Sequence, residues 1–72
     1  MTTLVKHDDT TGLRMWSKLR TDPAGKPLIQ YRFDVDPPRG MPGHLGSIDP
    51  FDLKANLDAF ERIIEYLKAN PE

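Results

Sequence analysis

Two runs of alternating apolar and polar residues, separated by a cluster of turn formers, commit the middle of this chain to an antiparallel hairpin. In the first run Leu13, Met15 and Leu19 alternate with Arg14, Trp16, Lys18 and Arg20, and only Ser17 interrupts the apolar side. In the second, Ile29, Tyr31, Phe33 and Val35 alternate with Gln30, Arg32 and Asp34. A period of two puts each set on one face of a strand, so one side of the hairpin is built to be covered. Between the runs, Thr21-Asp22-Pro23-Ala24-Gly25-Lys26-Pro27 offers a preset φ, a carboxylate able to bond its own backbone and a glycine free to take positive φ.

A hairpin alone is marginal in water and needs a third strand or a covering helix. Thr2 to His7 reads as the third strand, joined to the first run by the turn residues Asp8-Asp9-Thr10-Thr11-Gly12. The helix is written near the other end. Leu53, Leu57, Phe60, Ile64 and Leu67 recur at spacings of four and three, with Phe51, Ala59 and Ile63 broadening the stripe. Asp49 reads as its N-cap, Pro50 as its first residue and Asp52 as negative charge near its positive end, while Asn70-Pro71 ends it. Lys54, Asp58 and Arg62 are spaced four apart on its polar side. The expected fold is a small two-layer α+β domain, an antiparallel β-meander of two to three strands packed on one C-terminal α-helix. The whole of 1–72 reads as a single domain, with strands about 2–7, 13–20 and 28–35, a Pro/Gly-rich loop at 37–49 and a helix at about 50–69.

Size and composition narrow the functions. A core in 72 residues supplies only about 3 to 5 kcal/mol of net stability. The chain has no cysteine, which excludes a disulfide framework, a thiolate metal site and a thiol nucleophile. Its net charge of −1 provides no global attraction to nucleic acid or an anionic membrane. Met1 to Val5 has no basic region leading into an apolar run, and no stretch approaches the roughly 18 apolar residues of a membrane span. The expectation is a cytoplasmic chain with no membrane contact.

Three features carry candidate chemistry. The first is the side of the hairpin away from the helix, where Arg14, Trp16, Lys18, Arg20 and Arg32 stand together. An aromatic ring among cations suits a nucleobase and its phosphates, or an anchor in a protein interface; equally, the ring can simply cover the apolar stems of its neighbours. The second is the loop, in which Met41, His44 and Leu45 would be presented to a partner or would pack back on the sheet. Connections of about 12 residues or more without secondary structure are uncommon in compact domains. The third is the histidine pair, His7 and His44, which with Arg39 would suit a metal-independent ribonuclease if they converge.

No metal is expected, because neither Asp8 with Asp9 nor Asp34 with Asp36 has the spacing of a calcium or zinc site, and Asp34 and Asp36 read as strand-end and turn residues. No cofactor is expected either, since the loop glycines lack the Lys-Ser/Thr ending of a phosphate-cradling loop. The favoured reading is a small non-enzymatic protein-interaction or regulatory module that docks on a protein partner or on a second copy of itself. Its contact residues would be Arg14, Trp16, Lys18, Arg20, Arg32, Met41, His44 and Leu45. A nucleic-acid-binding domain using the basic-aromatic face is the alternative, and a toxin-like ribonuclease the second alternative.

Overall fold

A computed structural model of the chain describes residues 2–40 and 49–71. Its elements follow the order β1 (Thr2–His7), β2 (Leu13–Thr21), β3 (Pro27–Val35) and α1 (Leu53–Ala69). The strands form one antiparallel sheet in the order β1-β2-β3, a meander, and the helix lies against one side of it. This is the expected two-layer α+β arrangement. No helix among the described residues is long and apolar enough to cross a membrane. Met41, His44 and Leu45 of the sequence-based site lie outside the described residues.

The register explains which residues share a side. Leu13 faces Val35, Met15 faces Phe33, Ser17 faces Tyr31 and Leu19 faces Ile29 on the helix side. Arg14 faces Asp34, Trp16 faces Arg32 and Lys18 faces Gln30 on the outer side. In β1 the pairing shifts by one residue between Leu4 and Lys6. A bulge reverses the side that every later residue points to. Lys6 is therefore paired with Met15 on the helix side, where its ammonium sits 5.0 Å from the centre of the Phe60 ring and 3.1 Å from Glu61 Oε1.

The core gathers Leu13, Met15 and Val35 from the sheet with Phe60, Ile63, Ile64 and Leu67 from the helix, and Tyr31, Phe33, Leu57 and Tyr66 pack at its margin. It is closed at the open end of the hairpin by the β1–β2 turn. The Asp8 carboxylate there accepts from the Thr11 amide and hydroxyl, at 3.0 and 2.6 Å. Gly12 takes φ +80° and its carbonyl accepts from the Asp36 amide at 3.0 Å, tying this turn to the end of β3.

The helix begins later than the sequence suggests. Asp52, not Asp49, is the N-cap, its carboxylate accepting from the amides of Lys54 and Ala55. Asp49 instead holds a turn just before the helix, accepting from the Phe51 amide at 2.9 Å. Pro50 thus lies outside the helix rather than opening it. Buried Asn56 explains the choice: its side-chain amide donates to the carbonyls of both Asp49 and Asp52, at 2.9 and 2.6 Å, folding the incoming segment onto the first turn. The Pro50 carbonyl in turn accepts from the Tyr31 amide at 2.7 Å, which fixes the helix entrance beside the middle of β3. At the far end Arg39, just past β3, donates to the Asn70 carbonyl, a favourable place for a cation at a helix C-terminus. The helix therefore runs in the same direction as β3, from the level of Tyr31 to beyond Val35.

Consequently the helix covers only part of the sheet. Leu19 and Ile29, expected in the core on the basis of their alternation, are 59 % and 42 % exposed. They lie beyond the helix entrance, toward the hairpin turn, where nothing among the described residues covers them.

Two substitutions test this architecture. Gly12→Ala would push a methyl into the Asp36 carbonyl while holding alanine at positive φ, and the urea midpoint should report a loss of about 2 to 4 kcal/mol. Asp52→Ala should cost about 1 kcal/mol as a lost N-cap, whereas Asp49→Ala should cost less, reversing the order that an N-cap at Asp49 would give.

Candidate functional site

Both sides of the sheet carry features that could receive a partner. On the outer side, strand pairing sets Arg14 directly opposite Asp34, and the two form a two-pronged ion pair in which Nε and a terminal guanidinium nitrogen each lie 2.8 Å from a carboxylate oxygen. The Trp16 indole N–H donates to the same carboxylate at 3.0 Å, and the Arg14 guanidinium stands 5.5 Å from the indole ring centre. Asp34, near the end of β3 as expected, is thus also the hub of this surface. It takes up the charge of Arg14 and the only polar handle of Trp16.

The hydrogen bond from Arg14 is the largest influence and, with a lesser one from Trp16, holds the Asp34 carboxyl below the ordinary carboxylate range against the opposing effect of burial. The same partner raises Arg14 above its usual value. Thr11 likewise lowers the carboxyl of Asp8. These shifts serve structure: they keep the charged forms of groups that brace a turn and a strand pair.

The other sequence-nominated cations are placed differently. Arg20 donates to the Gln30 side chain at 3.1 Å, and Lys18 and Arg32 are exposed on the same side, so the face does bring together Arg14, Trp16, Lys18, Arg20 and Arg32. A hollow of about 180 Å³ opens there between Thr2, Trp16, Arg32 and Asp34. A larger cleft of about 360 Å³ near the open end of the hairpin is lined in part by Arg14, Asp34, Asp36 and Arg39, whose charges balance. His7 stands on the edge strand with Nδ1 3.2 Å from an Asp9 carboxylate oxygen. Its proposed partner His44 lies outside the described residues. No group of three or more His, Cys, Asp or Glu side chains that could hold a metal ion occurs among the described residues.

The helix side holds what sequence reasoning missed. Past the Ser17–Tyr31 rung, Leu19 and Ile29 form an exposed apolar cross-strand pair. At the helix entrance, which the Pro50–Tyr31 hydrogen bond holds to β3 two residues along from Ile29, Phe51 is 45 % and Leu53 46 % exposed. The burial pattern of the cross-strand pair has a trace in the sequence, because Ser17, the one polar interruption of the apolar side, falls where cover ends. Leu4 and Val5 are also exposed, but they belong to the edge strand around the bulge.

No protein-family model matches this chain, no curated protein matches it, and no solved structure matches it. Its site is therefore argued from its own geometry.

Because the folded Asp34 carboxyl titrates below its unfolded value, the stability it contributes is fully present above the ordinary range near pH 4 and is lost as pH falls through the lowered folded-state value. Asp34→Asn should lower the urea midpoint at neutral pH and shift Trp16 emission, and the difference from the parent chain should shrink as pH falls through that value. A difference that stays constant with pH would separate the carboxylate from this role.

Proposed function

We propose that this chain is a small non-enzymatic interaction module that docks a protein partner on the end of its sheet left open by the helix. The observation that carries the reading is the Leu19–Ile29 rung: a hydrophobic pair on the same side of the sheet as the core, with 59 % and 42 % of its surface in water. Where the core cluster gathers only seven buried residues among those described, leaving such area exposed forgoes stabilisation of roughly 25 cal/mol per Å². An exposed apolar patch is a mark of interaction sites. Phe51 and Leu53 enlarge it, and Phe51 supplies the kind of aromatic anchor that interface centres favour.

The outer side supports a second reading, in which nucleic acid binds. Lys18, Arg20 and Arg32 have no carboxylate partner within salt-bridge distance among the described residues, leaving cations free for phosphates. Two observations place it second. Arg14 is engaged by Asp34, and Trp16 is hydrogen-bonded into the same pair rather than projecting as a free stacking platform.

A photo-cross-linking residue placed at Ile29, and separately at Lys18, distinguishes the two in native cell extract with and without nuclease. The favoured reading expects discrete protein adducts from position 29 that survive nuclease and disappear when Leu19 is changed to Asp. Adducts confined to position 18 that vanish with nuclease would reverse the ranking. Trp16 fluorescence offers an independent check: the second reading expects quenching by oligonucleotides that weakens steeply with added salt, the first expects none.

A further inference from the structure

We infer that the partner received by the uncovered end is a second copy of this chain, docked face to face about a two-fold axis. The inference rests on the interaction reading above and names its partner.

The edges of the sheet argue first against an extended peptide. Adding a strand requires a row of unpaired amides and carbonyls in register. On β1 that row is interrupted by the bulge between Leu4 and Lys6. On β3, Pro27 has no N–H to offer and the outward amide of Tyr31 is already taken by the Pro50 carbonyl. At the hairpin end itself β1 pairs no further than Lys18, leaving only Leu19–Thr21 of β2 along that edge, too short a row to hold a strand, so a partner at this end meets the face.

Charge then selects the kind of partner. On the helix side the rungs past the core are Ser17–Tyr31, Leu19–Ile29 and Thr21–Pro27, none of them charged. An acidic or basic partner would find nothing there to recognise. A two-fold contact sets a patch against its own image, which tolerates uncharged surface and penalises a net charge. At the rim, Lys54 offsets one of the two exposed carboxylates of Asp49 and Asp52, so the charge that the superposition brings together is small. The outer side fits this requirement less well: Arg14 is offset by Asp34 and Asp36, but Lys18, Arg20 and Arg32 leave it with an excess of positive charge, and two copies would repel.

Shape agrees. The chain measures 43 × 22 × 18 Å with a radius of gyration of 12.9 Å, against about 11 Å for a compact chain of this length. The helix, 17 residues long, reaches only about 25 Å, so the hairpin end projects past it. Two such ends laid one on the other at the usual sheet spacing of about 10 Å would shield both apolar rungs. A standard interface takes about 800 Å² from each partner, roughly a sixth of the 4957 Å² this chain exposes. The contact must therefore include the helix entrance, with Phe51 and Leu53, as well as the Leu19–Ile29 rung.

Since the chain contains no cysteine, an introduced one in the full chain can pair only with its twin. Leu19→Cys should oxidise to a covalent dimer at least about tenfold faster than Lys18→Cys on the opposite side, because docking raises the effective concentration of the thiol. In sedimentation equilibrium the unmodified chain should approach a twofold rise in weight-average mass with concentration, and the Leu19→Glu, Ile29→Glu double variant, altered only at exposed positions, should remain at the single-chain mass. Equal oxidation rates, a single-chain mass at every concentration, or a dimer that persists in the double variant would each overturn the inference. If position 29 cross-links a protein of different mass while the purified chain stays single, the interaction reading stands and the second copy is wrong; if neither occurs, both fall.

Discussion

Where the helix enters determines nearly everything else about this molecule. One main-chain hydrogen bond, from the Tyr31 amide to the Pro50 carbonyl, anchors the incoming segment to the middle of β3, and the buried Asn56 side chain clamps that segment to the first helical turn through two carbonyls. A helix started from that point and run parallel to β3 must cover Met15, Phe33, Leu13 and Val35, and it must leave Leu19 and Ile29 in the open. The division between core and candidate docking surface is thus made by polar contacts, although both regions are apolar. Each of the two carbonyls keeps a backbone donor as well, Asp49 from the Asp52 amide and Asp52 from the Asn56 amide, so the Asn56 side chain adds a second bond to each.

The two sides of the sheet use the same device, a cross-strand rung, for opposite ends. On the outer side the Arg14–Asp34 rung, joined by Trp16, is closed upon itself: donors and acceptors are matched and the shifted carboxyl records how strongly. On the helix side the Leu19–Ile29 rung has no cover beyond its own pair among the described residues. An aromatic residue among arginines looks like a binding surface when read as sequence, and a Leu in an alternating strand looks like core. The register that pairs residue 14 with 34 ties the ring and Arg14 to Asp34, and the helix entrance leaves Leu19 exposed.

Much of the architecture was legible in advance because it depends on local chemistry. Alternation marked β2 and β3 to within a residue, turn formers marked their junction, and the spacing from Leu53 to Leu67 marked the helix and most of its buried stripe. What escaped was decided at a distance. Asp49 and Asp52 are equally good caps by composition, and only the position of Asn56 separates them. The bulge at Val5 has no glycine or proline to announce it, yet it turns Lys6 inward toward Phe60 and Glu61. The role of Asp34 follows from counting rungs back from the Thr21–Pro27 pair, and Ser17 is the one local hint that the apolar side changes purpose beyond it.

The blunted edges bound what association of this chain can become. A sheet with two open edges can add strands without limit, and the outcome is a fibre. Here a one-residue bulge on one edge and a proline with an occupied neighbouring amide on the other deny the next strand a continuous ladder. Contact through a single face, by contrast, is used up once it is made. The irregularities of β1 and β3 therefore act as stops, separating an assembly that closes from one that propagates.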